Sequence, residues 1–543
     1  MKRTSILLAL GLLALTACDC PHCGNAKFAL NTTTLLISGD ADTQTSTPGA
    51  LVLTSSYGWT ATNLAPQYID FENAEGEGGA FYFSVRLRPQ FFDDFNADPS
   101  QFEIDATGCK VGRIRFVSSQ GETIQVMVYL EDAIILSFDA NGATGTPPAT
   151  RVIKSGEATI IPDDTGLSHP DSRPFLGWNT EANGGGVFYT ANTSVVFAVS
   201  TTLYAIWNGD GLSPETPKYI YNRKTLMEVE NTVTEPLYYL VVADFDANCN
   251  DDGSLAEASW KPLGDHNPNR FGGVFDGNGH TITFTINDGH INHIGLFNYI
   301  AYVGVVKNLS VTGSIVSKQV SLERSLHCGG IAGISQGLIE GCYSAVSIKG
   351  ESAQWTNSGG IVGVNQGSTV GCVSTGSIEC IAGAGDANAG GIAGANSVPT
   401  VAHLGRISYS VSTSSVEGKS SAAKAYVGGI VGGNDDRAGV VNCVAINAVS
   451  TSVWSLHANG ATESHCGRVA GAIGNYSSLN NADEGMVVWK NGAAFTIPDA
   501  DKTDTKGSGA SITSGAWRTK TWWEGLAGDW ATYYGDFELL VTL

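Results

Sequence analysis

Gly329-Gly330-Ile331-Ala332-Gly333 returns as Gly359-Gly360-Ile361-Val362-Gly363, as Gly390-Gly391-Ile392-Ala393-Gly394 and as Gly428-Gly429-Ile430-Val431-Gly432. A degenerate copy, Gly467-Arg468-Val469-Ala470-Gly471, follows, and Gly295-Leu296-Phe297 is an earlier relative. The second glycines fall 30, 31 and 38 residues apart. Self-similarity at such a period means stacked repeats, each burying its apolar face only against its neighbours. Long regular surfaces result, which favour a scaffold or binding role over an enzyme.

Each phrase reads as a short apolar strand between glycines that permit positive φ and close backbone approach. A polar turn follows (Ser335-Gln336-Gly337, Asn365-Gln366-Gly367, Asn434-Asp435-Asp436), then a second β-rich run. That run carries cysteine in three copies, Cys342-Tyr343-Ser344, Cys372-Val373-Ser374 and Cys443-Val444-Ala445, while the third copy has Tyr409-Ser410-Val411. Cysteines at matched places predict an inward ladder along a solenoid. Alternation and small residues dominate and no helical period is present. A right-handed parallel β-helix with coils about 4.8 Å apart fits this pattern.

Upstream, Tyr238-Tyr239-Leu240, Trp260-Lys261-Pro262-Leu263-Gly264 and Phe271-Gly272-Gly273-Val274-Phe275-Asp276-Gly277-Asn278-Gly279-His280-Thr281-Ile282 extend the pattern. With these residues and the repeats, 218–483 closely resembles the GLUG-motif family of bacterial surface proteins. The resemblance implies adhesion and cell-surface display, and it brings no catalytic motif.

The chain opens with a targeting pattern: basic Lys2 and Arg3, then an apolar run from Ile6 to Leu15 too short to span a bilayer. Leu15-Thr16-Ala17-Cys18 looks like a lipobox, with residues 1–17 removed and Cys18 lipidated at the head of a tether, 18–27. Ordinary secretory cleavage with Cys18 free is the competing reading. The lipid is then the expected membrane anchor, and the expected place is the outer membrane of a Gram-negative envelope, facing outward. Loss of Lys2 and Arg3 takes the net charge from −22 to −24. So acidic a chain is a poor partner for nucleic acid, and its overall charge also disfavours electrostatic binding to acidic glycans or anionic membranes. Among the 11 cysteines, Cys20-Pro21-His22-Cys23 has redox spacing but no strand before it and no helix after it.

Residues 28–132 alternate apolar and polar positions through Leu51–Thr62, Phe81–Pro89, Cys109–Ser118 and Glu122–Leu130. Ser55-Ser56-Tyr57-Gly58-Trp59-Thr60-Ala61 and Gly112-Arg113-Ile114-Arg115-Phe116 resemble the BACON domain, which implies a β-sandwich with a proposed carbohydrate role. Phe138-Asp139-Ala140-Asn141-Gly142, Phe175-Leu176-Gly177-Trp178-Asn179 and Leu203-Tyr204-Ala205-Ile206-Trp207 place 133–208 beside the Listeria–Bacteroides repeat. That family implies a small β-grasp module for attachment or spacing. Asn141-Gly142 suits a tight hairpin turn. Residues 209–217 read as a linker, Arg223 to Val229 as a turn covering the first coil, and the aromatic tail 484–543 as a C-terminal cap. The expected fold is therefore all-β and multidomain: sandwich, β-grasp module, then parallel β-helix.

Candidate ligand-binding residues are Trp59, Trp355 and Trp454; for Trp59, which lies in a strand, a core position is the favoured reading over stacking on a sugar ring. Asp244, Asp246, Asn248, Asn250, Asp252 and Glu257 alternate as calcium ligands do, with Glu257 at loop position twelve counted from Asp246. Asp251 stands where such a loop needs glycine, so a solvated loop is the favoured reading and no cofactor is expected. A glycan-cleaving β-helix needs paired carboxylates at matched positions of adjacent coils. Among the repeat turns only Asp435-Asp436 is acidic. The expected function is a non-catalytic adhesin for host or microbial glycans or glycoproteins. The alternatives are a stalk or accessory part of a surface assembly, and a glycan-degrading enzyme.

Overall fold

The computed structural model describes residues 28–543 apart from 41–43, 98–100, 106–107, 132, 165, 232, 234–235, 251–252, 257–258, 265–268, 290, 322–323, 399–403, 448–455, 473 and 514. The targeting segment, the Cys18 lipobox, Cys20 and Cys23 lie outside the described residues. Two compact units form. One holds the residues up to Ala140 with Thr146–Gly166 and Ala191–Leu203. The other holds Asn141–Gly145, Leu167–Thr190 and Tyr204–Leu543.

In the first unit, two sheets face each other. One orders Phe28–Leu30, Gly49–Ser55, Gly79–Leu87 and Ile69–Asp70; the other is built on Thr123–Leu130, Gly108–Ser118 and Trp59–Asn63. Strict alternation places Leu51, Leu53, Ile114, Phe116, Val126 and Val128 inward, all fully buried. A helix, Pro89–Ala97, interrupts the strands where the sequence reads only β structure. Proline suits a first helical position, and Phe91 and Phe95, one turn apart, stack at 5.1 Å in the core. Further along, Ala133–Asp139 pairs antiparallel with Arg151–Lys154.

The second unit is a stack of parallel coils. One sheet runs through nine strands from Lys218–Ile220 to Tyr476–Ser478. A second carries the long strands Thr281–Asn287, Ser310–Gln319 and Tyr343–Ser352. A third stacks Leu326–Gly329 on Thr356–Gly359, and a fourth Ala332–Ser335 on Val362–Asn365. Every pairing between consecutive coils in these sheets is parallel and keeps the glycine phrases in register. Ile331, Ile361, Ile392, Ile430 and Val469 form one fully buried axial column. Aromatics fill the first coils: Phe271 lies 4.8 Å from Phe297, beside Tyr239 and Phe275. Asn222 and Thr225 cap the short helix Arg223–Met227, whose Leu226 joins that core.

The glycines do not take positive φ. The left-handed corner falls elsewhere, between the first and second sheets, at Asn278, Asn308, Gly341, Gly371, Tyr409, Asn442 and Leu479, with φ from 51° to 63°. Glycine in the phrase serves close approach instead. A Cβ on Gly330 would lie 2.6 Å from the Gly360 carbonyl oxygen, and one on Gly333 2.5 Å from the Ile294 nitrogen. Third and fourth sheets thus fold back on one another with only glycine between them. In the degenerate copy, Arg468 replaces the second glycine and is buried. Its guanidinium donates to the carbonyls of Ser508, Asp483 and Gly509, closing the last coil.

Polar ladders continue this stacking. Asn365 Nδ2 donates to Asn396 Oδ1 at 2.8 Å, and Asn396 Nδ2 to Asn434 Oδ1 at 2.7 Å; Asn365 and Asn396 are fully buried. Asn396→Ala should cost about 2 kcal/mol, because it leaves the Asn434 Oδ1 acceptor without its donor out of water and removes the bond to the Gly439 carbonyl. Chemical denaturation reads this, and an unchanged midpoint would reject the ladder.

The aromatic tail does not sit over the end of the stack. Trp517, Trp523, Trp530, Tyr534 and Phe537 pack sideways on Val373, Val411 and Val444, one from each of three successive coils. Tyr534 Oη donates to the Tyr409 carbonyl at 2.7 Å. Where the tail lies, the long strand of the second sheet breaks into pairs, such as Val373–Ser374 with Ser377–Ala382. The segment expected as a cap, 484–543, thus divides: Val488–Lys490 and Ala510–Ile512 stack on the final coils, while the aromatic part covers a side of the stack.

Candidate ligand-binding faces of the solenoid

Outward side chains stack coil upon coil, so every face of the solenoid is a set of columns. On the third sheet the column runs His293, His327, Asn357, Asn388, Tyr426, His465. The imidazoles of His293 and His327 stack at 5.3 Å, and Tyr426 and His465 at 4.7 Å. Burial first, then the neighbouring His293, pushes His327 down to about 3. It is therefore neutral, and its Nδ1 accepts from Asn357 Nδ2 at 2.8 Å. Beside it, the fourth sheet presents Tyr299, Ile334, Val364 and Ala395. Tyr299, Ile334, Val364 and Asn357 are buried, so the two strips form a largely neutral, packed seam of which the outer edges of the polar strip reach solvent. Sequence reading missed it, although a polar planar residue two before each glycine pair was a visible signal.

A charged column lies on the second sheet: Lys349, Glu379, Glu417 and His457 in register. Lys349 Nζ lies 2.7 Å from Glu379, Lys419 Nζ lies 2.9 Å from Glu417 and 3.5 Å from Glu379, and His457 Nδ1 lies 2.9 Å from Glu417. Glu379 and Glu417 are the paired carboxylates on adjacent coils that the repeat turns lack. Their environment decides what they can do. Burial raises the Glu379 carboxyl, but Lys349 and Lys419 outweigh it and hold the group below the usual carboxylate range. A general acid needs the opposite shift. Both carboxylates are spent on ammonium groups, an arrangement that staples coils together.

Of the residues named from sequence, Trp59 is 4% exposed, sits 4.8 Å from the Phe81 ring, and donates Nε1 to the Glu77 carbonyl at 3.1 Å. No ring face is left for a sugar, so it is a core residue. Trp355 is 54% exposed at a corner between the second and third sheets, with its indole against Gly385 of the next coil. Trp454 lies outside the described residues. The structure therefore leaves Trp355 as the accessible candidate of the three.

Asp244 Oδ1 accepts from the Thr281 nitrogen at 2.8 Å and pairs with His280 at 3.0 Å. Asp246 Oδ1 accepts from the nitrogen and Nδ2 of Asn248, Asn248 Oδ1 accepts from the Thr285 nitrogen, and Asn250 Nδ2 donates to Ser254. These oxygens serve the turn and the next coil. Asp252 and Glu257 lie outside the described residues, among which no three acidic, histidine or cysteine groups gather round one point. Asp435 Oδ2 accepts from the Val398 nitrogen at 3.0 Å, an anchor for a turn.

The cysteine ladder is inward: Cys342, Cys372 and Cys443 are buried and free, with Ser410 in the intervening coil. Each thiol donates to a carbonyl of its own coil, Cys443 to Val441 at 3.5 Å. Burial pushes Cys380, Cys443 and Cys466 up to about 12. The unfolded thiol titrates near 9.0, so the folded state holds more protons above that pH. Stability from these thiols is complete below pH 9.0 and is lost as pH rises toward about 12. The melting temperature should fall on that alkaline limb, and thiol reagents should label these cysteines only on unfolding. Rapid labelling of the native protein at neutral pH would contradict the burial.

Residues 135–206 match the Listeria-Bacteroides repeat domain family. The match spans strands of both units, with Asn141 and Gly142 at φ 48° and 86°, the turn geometry expected of that pair. A protein of Evansella cellulosilytica described as a "Putative Gly-rich membrane protein" is 33% identical over 139 residues, 24% of this chain and 16% of that protein. Halomucin of Haloquadratum walsbyi is 25% identical over 153 residues, 28% of this chain and 2% of that one. The chain thus spans a small fraction of these relatives' lengths. A Bacteroides ovatus structure described as a "putative immunoglobulin A1 protease" shares 20% identity, covering 56% of this chain and 85% of that one, with a TM-score of 0.37.

Proposed function

We propose that this protein binds glycans or glycoproteins at a bacterial cell surface, and does so without transforming them. One observation carries the reading: outward side chains stack in register over successive coils, so a face offers an ordered row of contacts at a fixed step. Weak contacts repeated in this way add through avidity when several copies share one surface. The Listeria–Bacteroides repeat, and similarity to a protein described as a membrane protein, support a place in the envelope. The lipobox at Cys18 supports an outer-membrane lipoprotein, and the resemblances to GLUG and BACON families support display. Among the described residues no helix is long and apolar enough to cross a membrane.

The test is a glycan and host-matrix binding array with the full-length protein. Saturable binding, weakened by Trp355→Ala, supports the reading. No binding, with envelope proteins co-purifying instead, would replace it by a role in a surface assembly. Glycan turnover that disappears in Glu379→Gln and Glu417→Gln would overturn the non-catalytic part. Acyl labelling that is equal in wild type and Cys18→Ser would remove the lipid anchor.

A further inference from the structure

The first sheet carries a groove unlike the other faces. Its volume is about 530 Å³, and it is lined by Leu404, Arg406, Arg437, Gly439, Val441 and Tyr476 among others. Arg406, Gly439 and Tyr476 are register partners on three consecutive coils. Two coil spacings, roughly 9.5 Å, therefore separate the arginine from the tyrosine backbone. Glycine between them leaves a gap: a Cβ there would meet little but the Tyr476 carbonyl oxygen at 3.2 Å. This glycine lies outside the repeated phrase, and the Tyr476 carbonyl oxygen is the single backbone atom close to the space it leaves.

The groove is basic on an acidic protein. The chain carries a net charge of −22, yet Arg406 and Arg437 flank the gap, both exposed. Among the described residues neither has a carboxylate within ion-pair distance. Asp435, in the same turn as Arg437, directs its Oδ2 to the Val398 nitrogen instead. Tyr476 is 65% exposed and Leu404 51% exposed, so an aromatic and an aliphatic side chain face solvent beside two guanidinium groups. Exposed aromatic rings with a polar tip are typical of recognition surfaces. A guanidinium fork suits a carboxylate, which it can hold through two parallel hydrogen bonds.

We propose that this groove is a binding site for a carboxylated sugar, a terminal or internal acidic unit of a glycan. Arg406 and Arg437 take the carboxylate, the gap over Gly439 admits the ring, and Tyr476 stacks on its apolar face. Val441 forms an apolar floor beneath it. The proposal rests on the glycan-binding reading above and narrows it to one ligand class and one face. It also gives this acidic protein a local means of holding an anionic ligand that its overall charge repels.

Calorimetric titration of the full-length protein with sialyllactose, trigalacturonate, neutral lactose and a polyglutamate peptide tests it. The two acidic sugars should bind saturably and lactose should not, with affinity falling as salt is raised. Arg406→Gln and Tyr476→Ala should each weaken binding about tenfold or more at an unchanged melting temperature. Gly439→Ala, which narrows the gap with a single methyl group, should weaken it likewise, read at an unchanged melting temperature because that methyl lies 3.2 Å from the Tyr476 carbonyl oxygen. Absence of acidic-sugar binding, or binding that survives the Arg406→Gln, Arg437→Gln double variant, would overturn the site. Equal, arginine-dependent capture of polyglutamate would overturn the sugar assignment in favour of an acidic peptide. If other glycans bind the wild type and the double variant alike, this site falls while the broader reading stands; if no glycan binds either, both fall.

Discussion

Trp523→Ala should release the C-terminal tail from the side of the solenoid at a cost of about 3–5 kcal/mol, the range for truncating a buried tryptophan. Trp523 is fully buried, its Nε1 donates to the Trp517 carbonyl at 2.6 Å, and its ring lies 5.4 Å from that of Trp530. Trp517 is in turn fixed by Asp483, whose Oδ2 accepts from the indole nitrogen at 3.1 Å. Removing the central ring leaves a hole that short helices such as Lys520–Glu524 and Trp530–Tyr534 have no independent stability to close. Once the tail lifts, Val373, Val411 and Val444 face water as an apolar strip. Limited proteolysis should cut within 513–543 of the variant while the coils resist, and a hydrophobic dye should bind. Unchanged melting with no new cleavage would show that the tail is an accessory and not a brace.

The docking of that tail was only half legible in the sequence. Seven aromatic residues near the terminus demand burial somewhere, but their partners are single valines in separate coils. The signal was present in Cys372-Val373 and Cys443-Val444, where an apolar residue follows the inward cysteine on the opposite face of the strand. Alternation makes such a residue point outward, and an outward valine repeated at one register asks for a cover. The charged column was hidden for another reason. Glu379, Glu417 and His457 become neighbours only after excursions of unequal length are looped out, so no fixed spacing connects them. Matching of coils, and not distance along the chain, sets which charges meet.

The glycine phrase shows the reverse case, where the right residues were noticed for a reason that proved incomplete. Both positive φ and close approach explain a glycine in a sequence, and only geometry separates them. Here each property went to a different place in the coil. Asn308, Tyr409, Asn442 and Leu479 hold the left-handed corner, so glycine is optional there, whereas the phrase itself has no such substitutes until Arg468. Arg468 is accommodated because carbonyls of Asp483, Ser508 and Gly509 receive its buried guanidinium, where the segment 507–512 and not another full repeat stacks on the coil.

That division makes a paired prediction. Gly360→Val should destabilise the second unit by about 3 kcal/mol, the upper end of overpacking costs, because rigid backbone as well as a buried side chain is in the way. A Cβ on Gly360 would run into the Gly391 carbonyl oxygen and Ser374 Oγ. The same backbone supplies a ladder bond, Gly360 nitrogen to the Gly391 carbonyl at 3.1 Å, so relief of the clash breaks coil stacking. Gly341→Asn should change stability by no more than about 0.5 kcal/mol, as substitutions away from core and strained positions do. At φ 59° it takes the conformation Asn308 already adopts one coil earlier, and the nearest atom to its Cβ is a side-chain oxygen at 3.2 Å. Thermal or denaturant unfolding of the two variants distinguishes the roles. Equal losses in both would mean that backbone dihedrals, and not the space between coils, fix the glycines of this solenoid.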